Sequence, residues 1–210
     1  QRIQLEKIKN DQLQTELKFL KSQYHPHFLF NALNTVYFQI DESNKAPRRT
    51  LEMISELLRY QLYGGNQKVS ILQEIDYLKT YIALRKLRMS ERLRLRVEFP
   101  PELNELNIYP LLFLPLVENA FKYVGGDYQL DIIMKWENNR ISLFIRNSIP
   151  ELSAEDEALR KSVDERQRKG IGLVNLRRRL SLLYPNKHRL ETRKEETEFV
   201  AELMIEIEDI

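Results

Sequence analysis

Apolar residues in the first half of the chain recur at helical spacing. Ile3, Leu5, Ile8, Leu13, Leu17 and Leu20 stand mostly three to five residues apart amid Gln, Lys and Glu. This predicts an amphipathic helix, either coiled-coil or packed on its own domain. Pro26 interrupts the pattern, because it lacks an N–H and its ring clashes with the carbonyl four residues back. Beyond it Leu29, Leu33, Val36 and Ile40 form a second stripe, which the polar stretch Asp41 to Pro47 ends. A further helix over Arg48 to Tyr63 carries Leu51, Ile54, Leu58 and Leu62, so the two make a helical hairpin. Gly64-Gly65-Asn66 breaks the run. Ser70 then suits an N-cap, with Gln73 at the capping-box position, for a helix over about 71–89 that buries Ile71, Ile75, Leu78, Ile82 and Met89.

After Pro100-Pro101 the period changes. Tyr128 to Trp136 and Ile141 to Ile145 read as strands flanking the turn Glu137-Asn138-Asn139-Arg140. Phe199, Ala201, Leu203, Ile205 and Ile207 alternate with mostly acidic residues, as in a half-buried strand. Helices first and an α/β layer second predict an α+β chain of two domains, 1–66 and 67–210. Between Glu151 and Lys169, 11 of 19 residues are charged and none is Gly or Pro, which fits a solvated helix or loop, or a mobile lid.

Composition narrows the function classes. Of 210 residues, 33 are Lys or Arg and 31 Asp or Glu, so a net charge of +2 supplies no basic field for direct nucleic-acid binding. The absence of Cys removes disulfides, thiolate zinc sites and Cys nucleophiles together. No apolar run is long enough to span a membrane or to serve as a signal peptide. The first residue is Gln1 rather than Met, so the chain is expected to be a piece of something longer.

Three segments can carry chemistry. In His25-Pro26-His27-Phe28-Leu29-Phe30-Asn31-Ala32-Leu33-Asn34, helical geometry puts His27, Asn31 and Asn34 on one face. A histidine there is either a structural residue or, with an ordinary pKa near 6.5, a neutral imidazole able to act as a nucleophile. In Leu114-Pro115-Leu116-Val117-Glu118-Asn119-Ala120-Phe121-Lys122, a carboxylate, a carboxamide and an ammonium fall within one turn. They form a solvated face or a site for magnesium and phosphate oxygens. In Gly170-Ile171-Gly172-Leu173-Val174-Asn175-Leu176-Arg177-Arg178-Arg179-Leu180, glycines lead into a helix, where backbone N–H groups can approach an anion. The arginine run reads most simply as a solvated face.

In order and spacing these segments resemble the LytS/YehU-like family of sensor histidine kinases. Its signatures run approximately N-P-H-F-L-F-N-x-L-N, L-Q-P-L-V-E-N-A-x-K-H-G and G-x-G-I-G-L-x-N-v-r-x-R-L. This chain has H-P-H-F-L-F-N-A-L-N, F-L-P-L-V-E-N-A-F-K-Y-V and R-K-G-I-G-L-V-N-L-R-R-R-L. The resemblance runs from about Leu20 to the C-terminus and includes the helix Leu72 to Met89 with its Arg88. It implies a hairpin that pairs into a dimeric four-helix bundle, followed by a GHKL/Bergerat-type α/β sandwich that binds ATP. By position, His27 matches the phosphoacceptor, with Phe28 and Asn31 shaping its surroundings. Asn119 matches the magnesium ligand, and Glu118 and Lys122 its polar neighbours at the triphosphate. Gly170 and Gly172 match the glycines bordering the nucleotide lid, Asn175 and Arg179 the helix after it, and Asn147 the residue facing the adenine amino group.

Departures from the pattern bear on strength of binding. His25 replaces an Asn, Leu114 a Gln and Tyr123 a His, and Lys169 stands where a lid glycine is usual. Asn147 replaces an Asp, and Ser148-Ile149-Pro150 replaces the glycines after it. Asn keeps a carbonyl acceptor but loses the charge assistance of Asp. The implied function is a two-component sensor kinase that phosphorylates His27 from Mg-ATP and passes the group to an Asp of a response regulator. The resemblance implies a regulator of the LytTR type. The alternative is a weak pseudokinase serving as a dimeric scaffold. Membrane attachment would come only through segments outside this chain, which would then be the cytoplasmic portion of a bacterial inner-membrane sensor.

Overall fold

The computed structural model describes residues 26–63, 67–101, 103, 106–150 and 171–207. The expected helix before Pro26, His25, Gly170 and the charged stretch 151–169 lie outside these. The chain divides into two compact units, Gln1–Gly65 and Asn66–Ile210.

In the first unit α1 (Pro26–Gln39) and α2 (Lys45–Tyr63) pack as a hairpin. Pro26 opens α1, where its missing N–H has no intrahelical partner to lose. The turn between the helices is closed by Asp41, which accepts from the Ser43 N–H at 2.8 Å, and by Arg48, whose Nη2 donates to Ile40 O at 2.9 Å. The two stripes are half-buried except for Val36, exposed at 46%; outside them Leu57 is buried, and Phe28 and Phe38 of α1 are exposed, at 74% and 78%.

In the second unit the short strands β1 (Val69–Ser70) and β3 (Asn107–Ile108) pair and fix the start of α3 (Ile71–Lys86). The capping box forms as the sequence predicts: Leu72 N–H donates to Ser70 Oγ at 3.2 Å and Ser70 N–H to Gln73 Oε1 at 3.1 Å. Ile71, Ile75, Leu78 and Ile82 are buried, but α3 stops at Lys86, so the half-buried Met89 lies beyond it.

The main sheet contains β2 (Arg94–Glu98), β4 (Gln129–Glu137), β5 (Arg140–Ser148), β6 (His188–Lys194) and β7 (Glu198–Glu206), in the order β2-β4-β5-β7-β6. Only β2 and β4 run parallel. Alternation puts Leu130, Ile132 and Met134, then Ile141, Leu143 and Ile145, then Ala201, Leu203 and Ile205 on one buried face. There α4 (Leu114–Tyr123) lies on β4 and β5, and α5 (Ile171–Leu183) on α4 and β6. This is an α/β sandwich of one mixed sheet under helices. The opposite face is charged and laced by ion pairs such as Arg146–Asp131 and Arg140–Glu206.

Candidate functional site

Helix α4 divides cleanly into two sides. Leu114, Leu116, Val117, Ala120 and Phe121 are buried against the sheet. Glu118 and Lys122 are exposed and Asn119 is half-buried, so the carboxylate, carboxamide and ammonium sit together on the other side. Loss of water around the Glu118 carboxyl holds its pKa above the ordinary carboxylate range, against the pull of the Arg85 guanidinium from α3. Arg85 itself lies 5.7 Å from the Phe121 ring centroid, and its Nε is buried without a hydrogen-bond partner among the described residues. Arg85 is thus the cation beside Glu118, whereas Arg88 is exposed beyond the end of α3.

The end of β5 is stapled to the end of α4. Gly125 N–H donates to Ser148 O at 3.0 Å, and the Ser148 hydroxyl donates to Gly125 O at 2.7 Å. Approach is so close here that a Cβ on Gly125 would come within 2.9 Å of the Pro150 Cδ, which is why glycine occupies the position. This staple places Asn147 beside the chain leaving α4. By strand parity Asn147 follows Ile141, Leu143 and Ile145 on the core side, and it is 1% exposed. Its Nδ2 donates to Ser148 O at 3.2 Å, while its Oδ1 has no partner among the described residues. A buried acceptor without a donor is unfavourable by about 1–3 kcal/mol, so the position suits a ligand that brings an N–H.

Helix α5 contributes Gly172 and Asn175, both exposed, near its start. A Cβ on Gly172 would meet nothing within 4 Å among the described residues, so their packing does not require glycine there. The arginine run departs from a simple solvated face. Arg177 Nη1 donates to Leu190 O at 2.9 Å and Arg179 Nη2 to Pro110 O at 2.8 Å; Arg177 and Arg178 remain exposed and Arg179 is half-buried. Arg179 therefore turns toward the backbone that precedes α4.

In the first unit, Asn31 and Asn34 are both exposed on α1, the helix that also carries His27, as the helical spacing predicts. Among the described residues no group of three or more His, Asp and Glu could hold a metal ion.

A family model described as histidine kinase matches residues 15–93. Sensor protein kinase HptS of Staphylococcus aureus (strain USA300) is 29% identical over 180 residues, covering 83% of this chain. Over these residues the chain is similar to sensor histidine kinases. It spans 35% of the length of that relative. Among solved structures, Acinetobacter baumannii histidine kinase AdeS matches with a TM-score of 0.45 and 13% identity, covering 88% of this chain and 96% of that one. Full-length ShkA in complex with AMPPNP matches with a TM-score of 0.45 and 13% identity, covering 92% and 46%.

Proposed function

We propose that this chain is the kinase region of a two-component sensor: it binds ATP with magnesium in the second unit and phosphorylates His27 in the first. The observation that carries the nucleotide site is the orphaned, buried Oδ1 of Asn147 next to a helix whose outer side bears Glu118, Asn119 and Lys122. A carbonyl oxygen accepts from the exocyclic amine of adenine. Asn119 would hold magnesium, an ion that takes few protein ligands and completes its shell with phosphate oxygens and water, so a lone amide is sufficient. Magnesium supplies charge neutralisation on the phosphates. Lys122 adds a point charge toward them, and Gly172 and Asn175 at the start of α5 border the phosphates.

A neutral ring nitrogen of His27 forms the N–P bond to the γ-phosphorus as the bond to the β–γ bridging oxygen breaks and ADP departs. Glu118, whose carboxyl is held above the ordinary carboxylate range by loss of water, accepts the imidazole proton. Asn31 shares the predicted face of His27 and can orient the ring. The remaining catalysis is positioning and charge stabilisation. The phosphoryl group then passes to an aspartate of a response regulator, of the LytTR type by family resemblance.

A second copy of the chain is the natural cover for Phe28, Val36 and Phe38, since two paired hairpins make a four-helix bundle. No helix among the described residues is long and apolar enough to cross a membrane. Attachment to a bacterial inner membrane would therefore use segments outside the residues described, with this chain on the cytoplasmic side. The scaffold alternative, binding without turnover, gains no support from relatives named as kinases.

The test is incubation with magnesium and γ-labelled ATP. Acid-labile, base-stable label is expected in the wild type and in His25→Asn, and none in His27→Gln, which still binds ATP. Label retained in His27→Gln would sink the assignment.

A further inference from the structure

The chain between β3 and α4 is gripped from two sides. From α3 comes Glu74, a fully buried carboxylate at 0% exposure, whose Oε2 accepts from the Leu111 N–H at 2.9 Å. From α5 come Arg179, donating to Pro110 O at 2.8 Å and to Leu111 O at 3.5 Å, and the adjoining Tyr184, whose hydroxyl accepts from the Tyr109 N–H at 3.2 Å. Between these grips Leu111 has a φ of 59°, a left-handed conformation unfavourable for a leucine, so the surrounding contacts must impose it. The turn then sends Leu112 and Phe113, both 0% exposed, into the core and opens α4, whose first turn has no side-chain cap at Phe113. The entry of α4 is thus set by contacts from α3 and α5 in place of a cap of its own. A fully buried carboxylate is costly unless its partners are fixed, and the capping box and the β1–β3 pairing fix the start of α3 that presents it.

We propose that Glu74 and Arg179 are positioning residues, a two-sided clamp on the Tyr109–Phe113 turn that sets where α4 holds Glu118, Asn119 and Lys122. Arg179 then acts on nucleotide through this turn and not by touching phosphate. The effect on binding, though not the clamp itself, rests on the nucleotide-site reading given above.

Two variants of the 210-residue chain test it. Glu74→Gln keeps the shape and an acceptor oxygen; Arg179→Met keeps the stem and removes the guanidinium. Without nucleotide, amide hydrogen exchange at Leu111 and along α4 should speed up by roughly tenfold in each variant, while β5 and β7 stay protected. In binding titrations Glu74→Gln and Arg179→Met should each weaken ADP and ATP more than adenosine, because the Asn119 and Lys122 they displace serve magnesium and the phosphates. The double variant should lose less than the product of the two single losses, since both residues act on one turn. Unchanged exchange at Leu111, a loss of ADP and ATP affinity in Arg179→Met that Glu74→Gln does not share, or strictly multiplicative losses would each overturn the clamp. If Glu74→Gln fails to fold, the Arg179→Met exchange at Leu111 decides alone. If the wild type binds none of the three nucleotides, the site reading falls, and hydrogen exchange still decides the clamp.

Discussion

Replacing Asn147 by Val should change two measurements in opposite directions. In the wild type the buried Oδ1 has no partner among the described residues, and the one bond of the side chain, Nδ2 to Ser148 O at 3.2 Å, is long. Removing an orphaned acceptor relieves about 1–3 kcal/mol, and losing a neutral hydrogen bond costs about 1 kcal/mol. Valine suits a strand position behind Ile141, Leu143 and Ile145 and is close to asparagine in size. The nucleotide-free chain should therefore be as stable as the wild type or up to about 2 kcal/mol more stable. Adenine binding should weaken, because its amine would now face a methyl group. The unpaired donor costs about 1–3 kcal/mol, roughly 5- to 150-fold in Kd. Urea unfolding followed by circular dichroism, with and without saturating ATP, measures both signs in one experiment: the order of stability should reverse when ATP is added. Guanine presents an oxygen where adenine has the amine, so the wild type should prefer ATP to GTP and the variant should lose the preference. A loss above about 2 kcal/mol without nucleotide would mean that Oδ1 is satisfied within the fold. A folded variant with unchanged ATP affinity would remove Asn147 from the site.

Glu118→Gln should stabilise the chain at pH 7 and leave it unchanged near pH 3.5. A carboxyl with a raised folded-state pKa contributes its full stability below the unfolded pKa, and that contribution is lost as pH rises from there through the folded value. Urea titrations at the two pH values check this, and a less stable variant at pH 7 would show that Arg85 outweighs desolvation. Leu143→Ala, at 0% exposure between Met134 and Leu203, should cost about 2–5 kcal/mol in the same assay. Phe38→Ala, at a residue 78% exposed, should alter unfolding by under about 0.5 kcal/mol yet shift sedimentation toward monomer if a second copy covers α1.

Elements with strong periodicity were legible in the sequence. The hairpin, the capping box at Ser70 and the strands carrying Ile141 to Ile145 and Phe199 to Ile205 all form where local pattern and burial agree. β2 and β6 escaped notice because Arg94-Leu95-Arg96 and His188-Arg189-Leu190-Glu191 have one polar face and few apolar residues to mark the other. They are the two edge strands, where sheet pairing supplies what hydrophobicity does not. Boundaries slipped for a related reason: α3 ends at Lys86, and the apolar Met89 is recruited by the following loop. Arg177 is exposed as read, with its partner Leu190 O only 13 residues on, whereas Arg179 is half-buried because its carbonyl partners, at Pro110 and Leu111, are distant in sequence. No local rule links a guanidinium to backbone about seventy residues away. Asn147 did carry a legible signal, since a carboxamide interrupts an otherwise apolar side of β5.

The places where sequence and fold disagree share one neighbourhood. An asparagine stands on the core side of β5, a leucine turns left-handed, a carboxylate is fully buried in α3, and Glu118 keeps a carboxyl in partly dry surroundings. Each is locally unfavourable, whereas on the outer sheet face the buried Asp131 is paired with Arg146. All four adjoin one helix, α4: at its exit, at its entry, at the residue holding that entry, and on its exposed side. A chain minimised for stability alone would spread such conflicts or remove them. Concentrating them around a ten-residue helix is expected if that helix must hold polar groups in a fixed geometry for a ligand that itself supplies the missing partners. The same logic separates the two units. In the hairpin the unfavourable feature is apolar surface left to solvent at Phe28 and Phe38, as expected if that unit is built to associate and the other to bind.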